Sequence, residues 1–320
     1  MGQQCYSPNI ALGCVAPFAA QCGGFPAVAY ELGFSLAPAS GEQTISCSPG
    51  QCFLAHAALW SLHHTNLYKL HTVIESDGQT ADAKYTTFGI RTLRFDPANG
   101  FFLDGKRVEI KGECNHADFP AVGIGAPNNL WWWRVMMLKK ELHANAYRTS
   151  HNPVSPAFYR ACDHLGVLTS SNSKGLVSQY TMHTNWSQYA WDTWKPIATQ
   201  KFVEGGFNWT GFDYRGETTP DGWPDVNSHF GVLDICGFPK PDAYYYKAGW
   251  GKKPLVYICP QWDLPKSMIG KDVLVRCYAN CDTVALFLNG AGVAGCCHRK
   301  GEQWILASNI RFIKNRRCGG

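Results

Sequence analysis

The nine residues NAYRTSHNP, at positions 145–153, bring together an arginine, two aliphatic hydroxyl side chains, a histidine and two asparagines. Side chains of these types donate and accept directional hydrogen bonds, so together they could hold a small polar ligand. Arg148, His151 and Asn152 lie at or just after the end of the strand-like residues NAYRT. We therefore select these three as candidate ligand-binding residues.

Two other strand-like segments end in similar groups. The group after VEIKG contains Glu113, Asn115, His116 and Asp118, and the group at the end of GGFNW and beyond contains Trp209, Asp213 and Glu217. Ligands of parallel βα layers bind at the carboxyl ends of the strands, where the loops converge. An indole face beside donors and acceptors suits a sugar, whose CH face packs on the ring while its hydroxyls form hydrogen bonds.

Each of these residues also has a purely structural interpretation. A histidine near a loop can be a structural hydrogen bonder, Arg148 can pair with a neighbouring carboxylate, and Asp213 and Glu217 can be turn residues. The triplet WWW at positions 131–133 is typical of packing. The hypothesis of a sugar site depends on the joint placement of these residues.

The elements that must position them are predicted from the hydrophobic pattern. NLWWWRVMMLKKELHAN has apolar residues near helical spacing, at Leu130, Trp133, Met137, Leu138 and Leu142, and so predicts an amphipathic helix. NAYRT and VLTSS predict strands, PAFYRACDHLG and the Trp-rich NWSQYAWDTWKPIATQKF predict helices, and GGFNWTGF predicts a further strand. This alternation is typical of βαβ units on a parallel sheet.

The flanking segments have a different pattern. Residues 1–46 have no steady period, so we expect little order there. LYKLHTVIE and TADAKYTTFGI predict two strands joined by an Asp-Gly turn, in a partial β-sandwich over 47–92. A Gly-marked hairpin is predicted at 103–106, followed by a strand from Arg107 to Lys111. The βα domain then covers 93–235, and alternation after residue 236 predicts a C-terminal sandwich-like domain over 236–320.

Composition narrows the possible partners. The net charge of +5 comes from 29 basic and 24 acidic residues with no basic block except KNRR in the tail, so we expect no nucleic-acid partner. No apolar run is long enough to span a membrane. The fourteen cysteines lack the regular spacing of a disulfide or zinc framework, so we expect thiols in a reducing compartment and a cytoplasmic protein.

The chain resembles glycoside hydrolase family 2, the β-galactosidase group, over roughly residues 57–305. The resemblance is carried by LWSLHHTNLYKL, TTFGIRTLRFD, GFFLDGKRVEIKGECNHAD, NAYRTSHNP, ACDHLGVL, GGFNWTGFDYRGETTPDGWPDVNSHFGVLDICGFPKPDAYYYKAGW and CDTVALFLNG. It implies sandwich domains around a TIM barrel and a terminal galactoside as substrate. By position, it further implies that His116 and His151 hydrogen-bond the sugar, that Trp209 lies under it and that Arg148 supports the site.

One departure from the family pattern is large. Family members place an Asn-Glu pair, the general acid/base, after the fourth barrel strand and a nucleophilic glutamate after the seventh. Here VLTSSNSKGLVSQY leads directly into the Trp-rich segment, and no Asn-Glu dipeptide occurs in the chain. The expected fold is therefore α/β plus all-β: a truncated (half) TIM-like βα barrel flanked by immunoglobulin-like β-sandwich segments. We expect the open side of the half-barrel to be covered by residues 1–46, by the Trp-rich helix or by a second subunit in a homo-oligomer.

The omission leaves three hypotheses for function. The first is a galactoside hydrolase that uses carboxylates other than the customary pair, chosen from Glu113, Asp118, Asp213 and Glu217. Retaining hydrolysis requires two carboxyl groups ~5–5.5 Å apart and inverting hydrolysis ~6.5–9.5 Å. Glu113 is the preferred acid because burial could raise its pKa. The second is an inactive galactoside-binding relic, and the third is a shortened gene product with neither activity. No metal or cofactor is expected in any of them.

Overall fold

A computed structural model describes residues 57–76, 79–171, 194–195, 197–218, 221–259 and 266–297, together with short strands before residue 54 and a strand at 304–311. Contacts between Cα atoms divide the chain into two compact units. The first contains 1–94, 102–106 and 163–166, and the second contains 95–101, 107–162 and 167–320. The domain boundaries expected at 46/47, 92/93 and 235/236 stay predictions. Among the described residues, no helix has the length and apolar character needed to cross a lipid bilayer.

Short antiparallel sheets make up the N-terminal part of the chain. Its strands are β1 (Ala11–Gly13), β2 (Ser35–Leu36), β3 (Gln43–Thr44), β4 (Gln51–Phe53), β5 (Tyr68–Ser76) and β6 (Gln79–Phe88). β5 and β6 pair from Tyr68↔Phe88 to Ser76↔Gln79, which confirms the predicted hairpin, although its Asp-Gly turn lies outside the described residues. β2 also pairs with β5, so residues of the segment expected to have little order belong to this sheet.

A three-stranded sheet precedes the βα layer along the chain. Its strands are β7 (Leu93–Asp96), β8 (Gly100–Leu103) and β9 (Lys106–Arg107). The turn between β8 and β9 has positive φ at Asp104 (50°) and Gly105 (75°), the combination that a two-residue hairpin turn requires. This confirms the predicted Gly-marked hairpin.

Four parallel strands form the centre of the second unit. They are β10 (Ile110–Asn115), β11 (Ala146–Thr149), β12 (Leu168–Ser171) and β13 (Gly205–Trp209), in the spatial order β12-β11-β10-β13. All three pairings are parallel. Within the described residues this sheet has four strands and does not close on itself, so it is a partial barrel. β10 begins and ends later than the predicted strand from Arg107 to Lys111, and this shift changes the position of Glu113.

Three helices of the second unit have both ends among the described residues: α1 (Asn128–Glu141), α2 (Pro156–Leu165) and α3 (Pro241–Trp250). The buried residues of α1 are Trp131, Arg134, Val135 and Leu138. This stripe is displaced from the predicted one, because Leu130, Trp133 and Met137 are only partly buried. Of the Trp-rich segment, 194, 195 and 197–199 are helical, and 185–193 lie outside the described residues.

Antiparallel strands follow α3, as predicted. They are β14 (Val256–Cys259), β15 (Asp272–Ala279), β16 (Thr283–Leu288), β17 (Ala291–Cys297) and β18 (Trp304–Arg311), with a 3-10 turn at Lys266–Met268. β14, β15 and β18 form a three-stranded sheet, and β16 and β17 form a hairpin. Six described cysteines are present as thiols, four of them buried: Cys114, Cys162, Cys236, Cys259, Cys277 and Cys281.

Candidate functional site

The two faces of the parallel sheet carry different side chains. Cys114 of β10 is in register with Arg148 of β11 and Trp209 of β13, so these three side chains lie in one row on one face. We call this the cleft face. The preceding row, Glu113, Tyr147 and Asn208, points to the opposite side, which we call the helix face. Tyr147 packs on Phe158 of α2, with ring centroids 4.6 Å apart, as expected for the face that the helices cover.

Four rings gather at the carboxyl ends of three neighbouring strands. The imidazole of His116 lies 5.3 Å from the ring of Trp209, 5.7 Å from that of His151 and 4.2 Å from that of Tyr214, measured between centroids. His151 stacks on Trp209 at 5.6 Å with an interplanar angle of 24°. We call these four residues the ring cluster. Sequence analysis predicted that His116, His151 and Trp209 would converge, and the structure brings them together.

Tyr214 is the member of the ring cluster that sequence analysis missed. Its phenol donates a short hydrogen bond to Oε2 of Glu217, so it links the rings to a candidate carboxylate. Burial and the neighbouring Glu217 raise the pKa of Tyr214, which keeps the phenol protonated and able to donate. The motif DYRGE could have indicated this contact, because a tyrosine and a glutamate three residues apart in a tight turn can meet.

His116 has an unsatisfied ring nitrogen. Its Nε2 is buried and has no hydrogen-bond partner among the described residues. Burial lowers the pKa of His116, and the charge of Asp118 opposes this shift in part. The imidazole is therefore neutral at pH 7, and its free nitrogen can accept or donate one hydrogen bond from a ligand.

Arg134 of α1 fixes the loop that carries His116 and Asp118. Its Nη1 donates to the carbonyl oxygen of His116 at 2.8 Å, and its Nη2 donates to that of Asp118 at 2.7 Å. The guanidinium lies 3.7 Å from the ring centroid of Phe119. Only 2% of Arg134 is exposed, so it is a buried support for the site. The sequence pattern concealed it, because the arginine stands within an apolar helix.

Arg148 and Asn152 differ in their surroundings. Arg148 is buried, its Nη1 lies 3.7 Å from Sγ of Cys114, and its Nε has no partner among the described residues. Burial raises the pKa of the Cys114 thiol to about 12, so the contact does not involve a thiolate at neutral pH. Asn152 is exposed beyond the end of β11. The carboxylate pairing considered for Arg148 is therefore replaced by a thiol contact.

Sequence analysis placed Glu113 after the end of its strand. The structure instead places it within β10, on the helix face. Its side chain is 0% exposed. Oε2 accepts a hydrogen bond of 3.2 Å from Nδ2 of Asn208, whose Oδ1 accepts one from the hydroxyl of Tyr246 on α3. Oε1 has no partner in the described part of the chain. Burial raises the pKa of Glu113 well above its usual value, as expected, but in a place that faces away from the ring cluster.

Asp213 also has a structural partner. Its Oδ2 lies 2.6 Å from Nζ of Lys240, and its Oδ1 accepts a hydrogen bond of 2.8 Å from the backbone N–H of Gly231. Burial raises its pKa, and Lys240 opposes that shift. Asp118, in contrast, accepts one hydrogen bond of 3.2 Å from the N–H of Arg215 and acts electrostatically on His116. Of the four candidate carboxylates, Asp118 and Glu217 are thus the two beside the ring cluster.

Three side chains of types that can bind a metal ion follow the ring cluster along the chain. One carboxylate oxygen each from Asp221 and Asp225 and one ring nitrogen of His229 lie within 4.8 Å of one another. Sequence analysis predicted no metal ligands and missed this group. Its spacing of i, i+4 and i+8 is that of a helix face, yet the segment is a loop, so periodicity gave no signal.

Comparison with known proteins identifies the family. Residues 97–204 match the family described as "Glycosyl hydrolases family 2, TIM barrel domain", and residues 32–91 match "Glycosyl hydrolases family 2". A "Beta-glycosidase from Bacteroides vulgatus" superposes with a TM-score of 0.73 at 21% identity, covering 88% of this chain and 57% of that one. A "Bacteroides Uniformis beta-glucuronidase" gives 0.64 at 15% identity, covering 89% and 57%. These likenesses show the fold.

Curated relatives carry two kinds of name. A "Putative beta-glucuronidase" from Formosa agariphila is 24% identical, covering 78% of this chain and 39% of its own length. "Beta-galactosidase BoGH2A" from Bacteroides ovatus is 38% identical, covering 34% and 12%, and a "Beta-galactosidase" from Thermoanaerobacterium thermosulfurigenes is 32% identical, covering 44% and 19%. The chain thus spans less than two fifths of the length of each of these relatives.

The alignment with the Formosa agariphila relative also bears on the barrel segment that this chain lacks. It extends over 409 positions although it uses only 78% of a 320-residue chain, so a long stretch of the relative has no counterpart here. This agrees with the partial barrel, whose described sheet has four strands. The sandwich and barrel segments follow each other in the order of the family, and the sequence matches the family over both segments. Four parallel strands of the barrel are present. From these findings we conclude that the chain belongs to glycoside hydrolase family 2.

Proposed function

We propose that this chain binds the terminal sugar of a galactoside at the ring cluster and hydrolyses its glycosidic bond. The observation that carries the proposal is the convergence of His116, His151 and Trp209, which come from the ends of three adjacent strands. Hexoses need an apolar platform together with hydrogen-bonding groups. The ring cluster offers both.

The binding step assigns a role to each group. The indole of Trp209 packs against the CH face of the sugar. The buried Nε2 of His116 and the Nε of Arg148 have no protein partner among the described residues, so they are available for hydroxyl groups. A buried donor or acceptor that gains a partner on binding contributes both affinity and specificity.

Hydrolysis requires two carboxyl groups, one that donates a proton to the leaving oxygen and one that acts on the anomeric carbon or on a water molecule. We assign these roles to Asp118 and Glu217 as a pair. Glu113 faces the helices, and both oxygens of Asp213 are engaged by Lys240 and Gly231. Catalytic roles for Glu113 and Asp213 remain predictions of the sequence, but the geometry favours Asp118 and Glu217.

A second candidate is galactoside binding without hydrolysis. It is supported by the commitment of Glu113 and Asp213 to internal contacts and by the absence of an Asn-Glu dipeptide from the chain. In this case the ring cluster still binds the sugar, but the bond is not cleaved.

The two candidates are separated by chromogenic substrates and a binding measurement on the purified full chain. We expect release of nitrophenol from a β-galactoside, and loss of ~10² or more in kcat for Asp118→Asn and for Glu217→Gln. A nitrophenyl glucuronide tests the alternative substrate that other relatives' names suggest. The control is Asp82→Asn, at an exposed position of β6. Sugar binding without turnover of either substrate would favour the binding protein.

Assembly is part of the same proposal. The described sheet has β12 and β13 as its edge strands. Open parallel edges invite pairing with another chain, and we propose that a second copy covers the half-barrel. Light scattering with size-exclusion chromatography should give a mass of at least twice the 35.5 kDa subunit. A mass of one subunit would exclude this assembly without bearing on sugar binding.

A further inference from the structure

Arg148 is a buried cation without a matching anion. Only 8% of the residue is exposed, and none of the ion pairs found among the described residues includes it. Arginine keeps its positive charge throughout the pH range of folded proteins, and charged side chains are rarely buried unless they are paired. A sugar hydroxyl would satisfy a hydrogen bond of this guanidinium but would not balance its charge.

The groups nearest to the guanidinium do not supply the missing negative charge. Nη1 of Arg148 lies 3.7 Å from Sγ of Cys114, but burial raises the pKa of this thiol to about 12, so the thiol is neutral at pH 7. Glu113 points to the helix face, away from Arg148. Burial raises the pKa of Glu113 well above its usual value, which favours the neutral acid there.

The three carboxylates after the strand ends have other partners in the described part of the chain. Asp213 pairs with a lysine at 2.6 Å. Asp118 accepts a hydrogen bond from a backbone N–H, and Glu217 accepts one from a tyrosine hydroxyl. None of these contacts involves Arg148, so its charge is left for a ligand to balance.

Ser150 adds a second buried group without a partner. Its residue is 6% exposed, and its hydroxyl makes no hydrogen bond to any described residue. The N–H of Ser150 donates to the carbonyl oxygen of Asn115 at 3.0 Å, which continues the pairing of β11 with β10. Alternate residues of an extended strand point to the same side, so this hydroxyl lies on the cleft face with Arg148. Nε of Arg148 is also buried and unsatisfied.

From the unbalanced cation and the two unsatisfied buried groups, we propose that Arg148 and Ser150 bind a carboxylate group on the cleft face. A guanidinium donates two parallel N–H bonds to a carboxylate, and a serine hydroxyl can donate a third. A carboxylate carries one negative charge and so matches a single cation. A phosphate dianion would leave an excess buried charge, which is unfavourable.

The position of Trp209 indicates one source of the carboxylate. Cys114 lies between Arg148 and Trp209 in the same row, and neighbouring strands are about 4.8 Å apart, so the two backbones are separated by about 10 Å. A sugar acid that packs on the indole would therefore bring its carboxylate to the guanidinium. A free carboxylate such as acetate offers the same chemistry. The sugar-acid source rests on the proposed function, whereas the acetate source does not.

Isothermal titration calorimetry of the full chain at constant ionic strength, with sodium acetate, sodium galacturonate and galactose, tests the site. We expect galacturonate to bind about tenfold or more tighter than galactose, because it adds hydrogen bonds to a charged group. Arg148→Met should remove this difference, and Arg148→Lys, which keeps the charge but not the planar fork, should retain part of it. The matched control is Arg160→Met, at an exposed arginine of α2, which should bind as the wild type does.

Ser150→Ala is a second variant that keeps the arginine, and we expect it to weaken acetate and galacturonate binding but not galactose binding. Acetate binding that depends on Arg148, with galacturonate no tighter than galactose, supports the site and identifies a free carboxylate as its ligand. The proposal is overturned if the wild type binds neither acid, or if both bind equally well to wild type, Arg148→Met and Ser150→Ala with unchanged circular dichroism. Failure of galactose alone to bind would contradict the proposed sugar site, while the acetate titration would still decide the carboxylate site.

Discussion

The imidazole of His151 stacks on the indole of Trp209, with ring centroids 5.6 Å apart and planes inclined by 24°. The two residues come from strands that do not pair with each other, because β10 lies between β11 and β13. The stack therefore bridges the end of β10 and places an aromatic surface beside His116.

Replacement of Trp209 tests that surface directly. We expect Trp209→Ala to weaken galactoside binding by about tenfold or more, which corresponds to about 1.4 kcal/mol, because the sugar loses its apolar platform. Trp209→Phe should retain part of the affinity. Isothermal titration calorimetry measures both variants. Equal affinity for wild type and Trp209→Ala would show that the sugar does not contact this ring.

The lowered pKa of His116 predicts a change of stability with pH. The usual pKa of histidine is 6.5, and burial lowers it in the folded state. Between these two values the unfolded chain binds more protons than the folded chain, so stability is lost as pH falls below about 6.5. We expect the free energy of unfolding of wild type to fall more than that of His116→Gln between about pH 7.5 and 5.5. Urea denaturation at each pH measures the difference.

Glu113 predicts the opposite dependence. Its usual pKa of 4.5 is raised well above that value by burial, so the unfolded chain loses this proton at a pH where the folded chain retains it. Its contribution to stability is therefore present below about pH 4.5 and is lost as pH rises toward the folded pKa. Glu113→Gln should raise the free energy of unfolding at pH 8 by on the order of 1–3 kcal/mol. A decrease at pH 8 would contradict the assignment.

The Asp213–Lys240 pair is expected to stabilise the loop after β13. Lys240→Met leaves the carboxylate of Asp213, which is only 6% exposed, without its cation. We expect a loss of about 2–4 kcal/mol of stability, because an unpaired buried charge costs more than the pair contributes. The double variant Asp213→Asn/Lys240→Met should recover part of that loss. Denaturant unfolding of the three variants gives the coupling energy.

Arg134 predicts a loss of function at a position that contacts the ring cluster only through the backbone carbonyl oxygen of His116. Arg134→Lys cannot donate to the carbonyl oxygens of His116 and Asp118 in the same fork geometry or stack equally on Phe119. We expect lower stability by about 2 kcal/mol and weaker sugar binding, since the His116 loop loses its anchor. Calorimetry and circular dichroism distinguish this outcome from global unfolding.

The sequence predicted the parallel strands, the helices α1 and α2 and three members of the ring cluster, but not α3, which lies in the segment expected to be sandwich-like. Hydrophobic alternation located the segments, and the rule for strand ends placed His116, His151 and Trp209 in one cleft. The rule for strand ends could not place Glu113, because successive side chains of a strand point to opposite faces of the sheet. A shift of the strand end therefore moved that carboxylate inside the strand and onto the helix face. Tyr214 and Lys240 were missed because their partners are defined by loop geometry, which leaves no periodic signal.

The pairing of β10 with β13 has a consequence for biosynthesis. On one side β10 pairs with β11, which follows it closely in the sequence. On the other side it pairs with β13, which comes much later: Asn208 of β13 is 95 residues from Glu113 of β10. On the ribosome, β10, β11 and β12 emerge first, with one side of β10 unpaired until residues 205–209 have been translated. The nascent chain therefore passes through a stage with an exposed central strand, when it is most exposed to association with other chains and most dependent on chaperones.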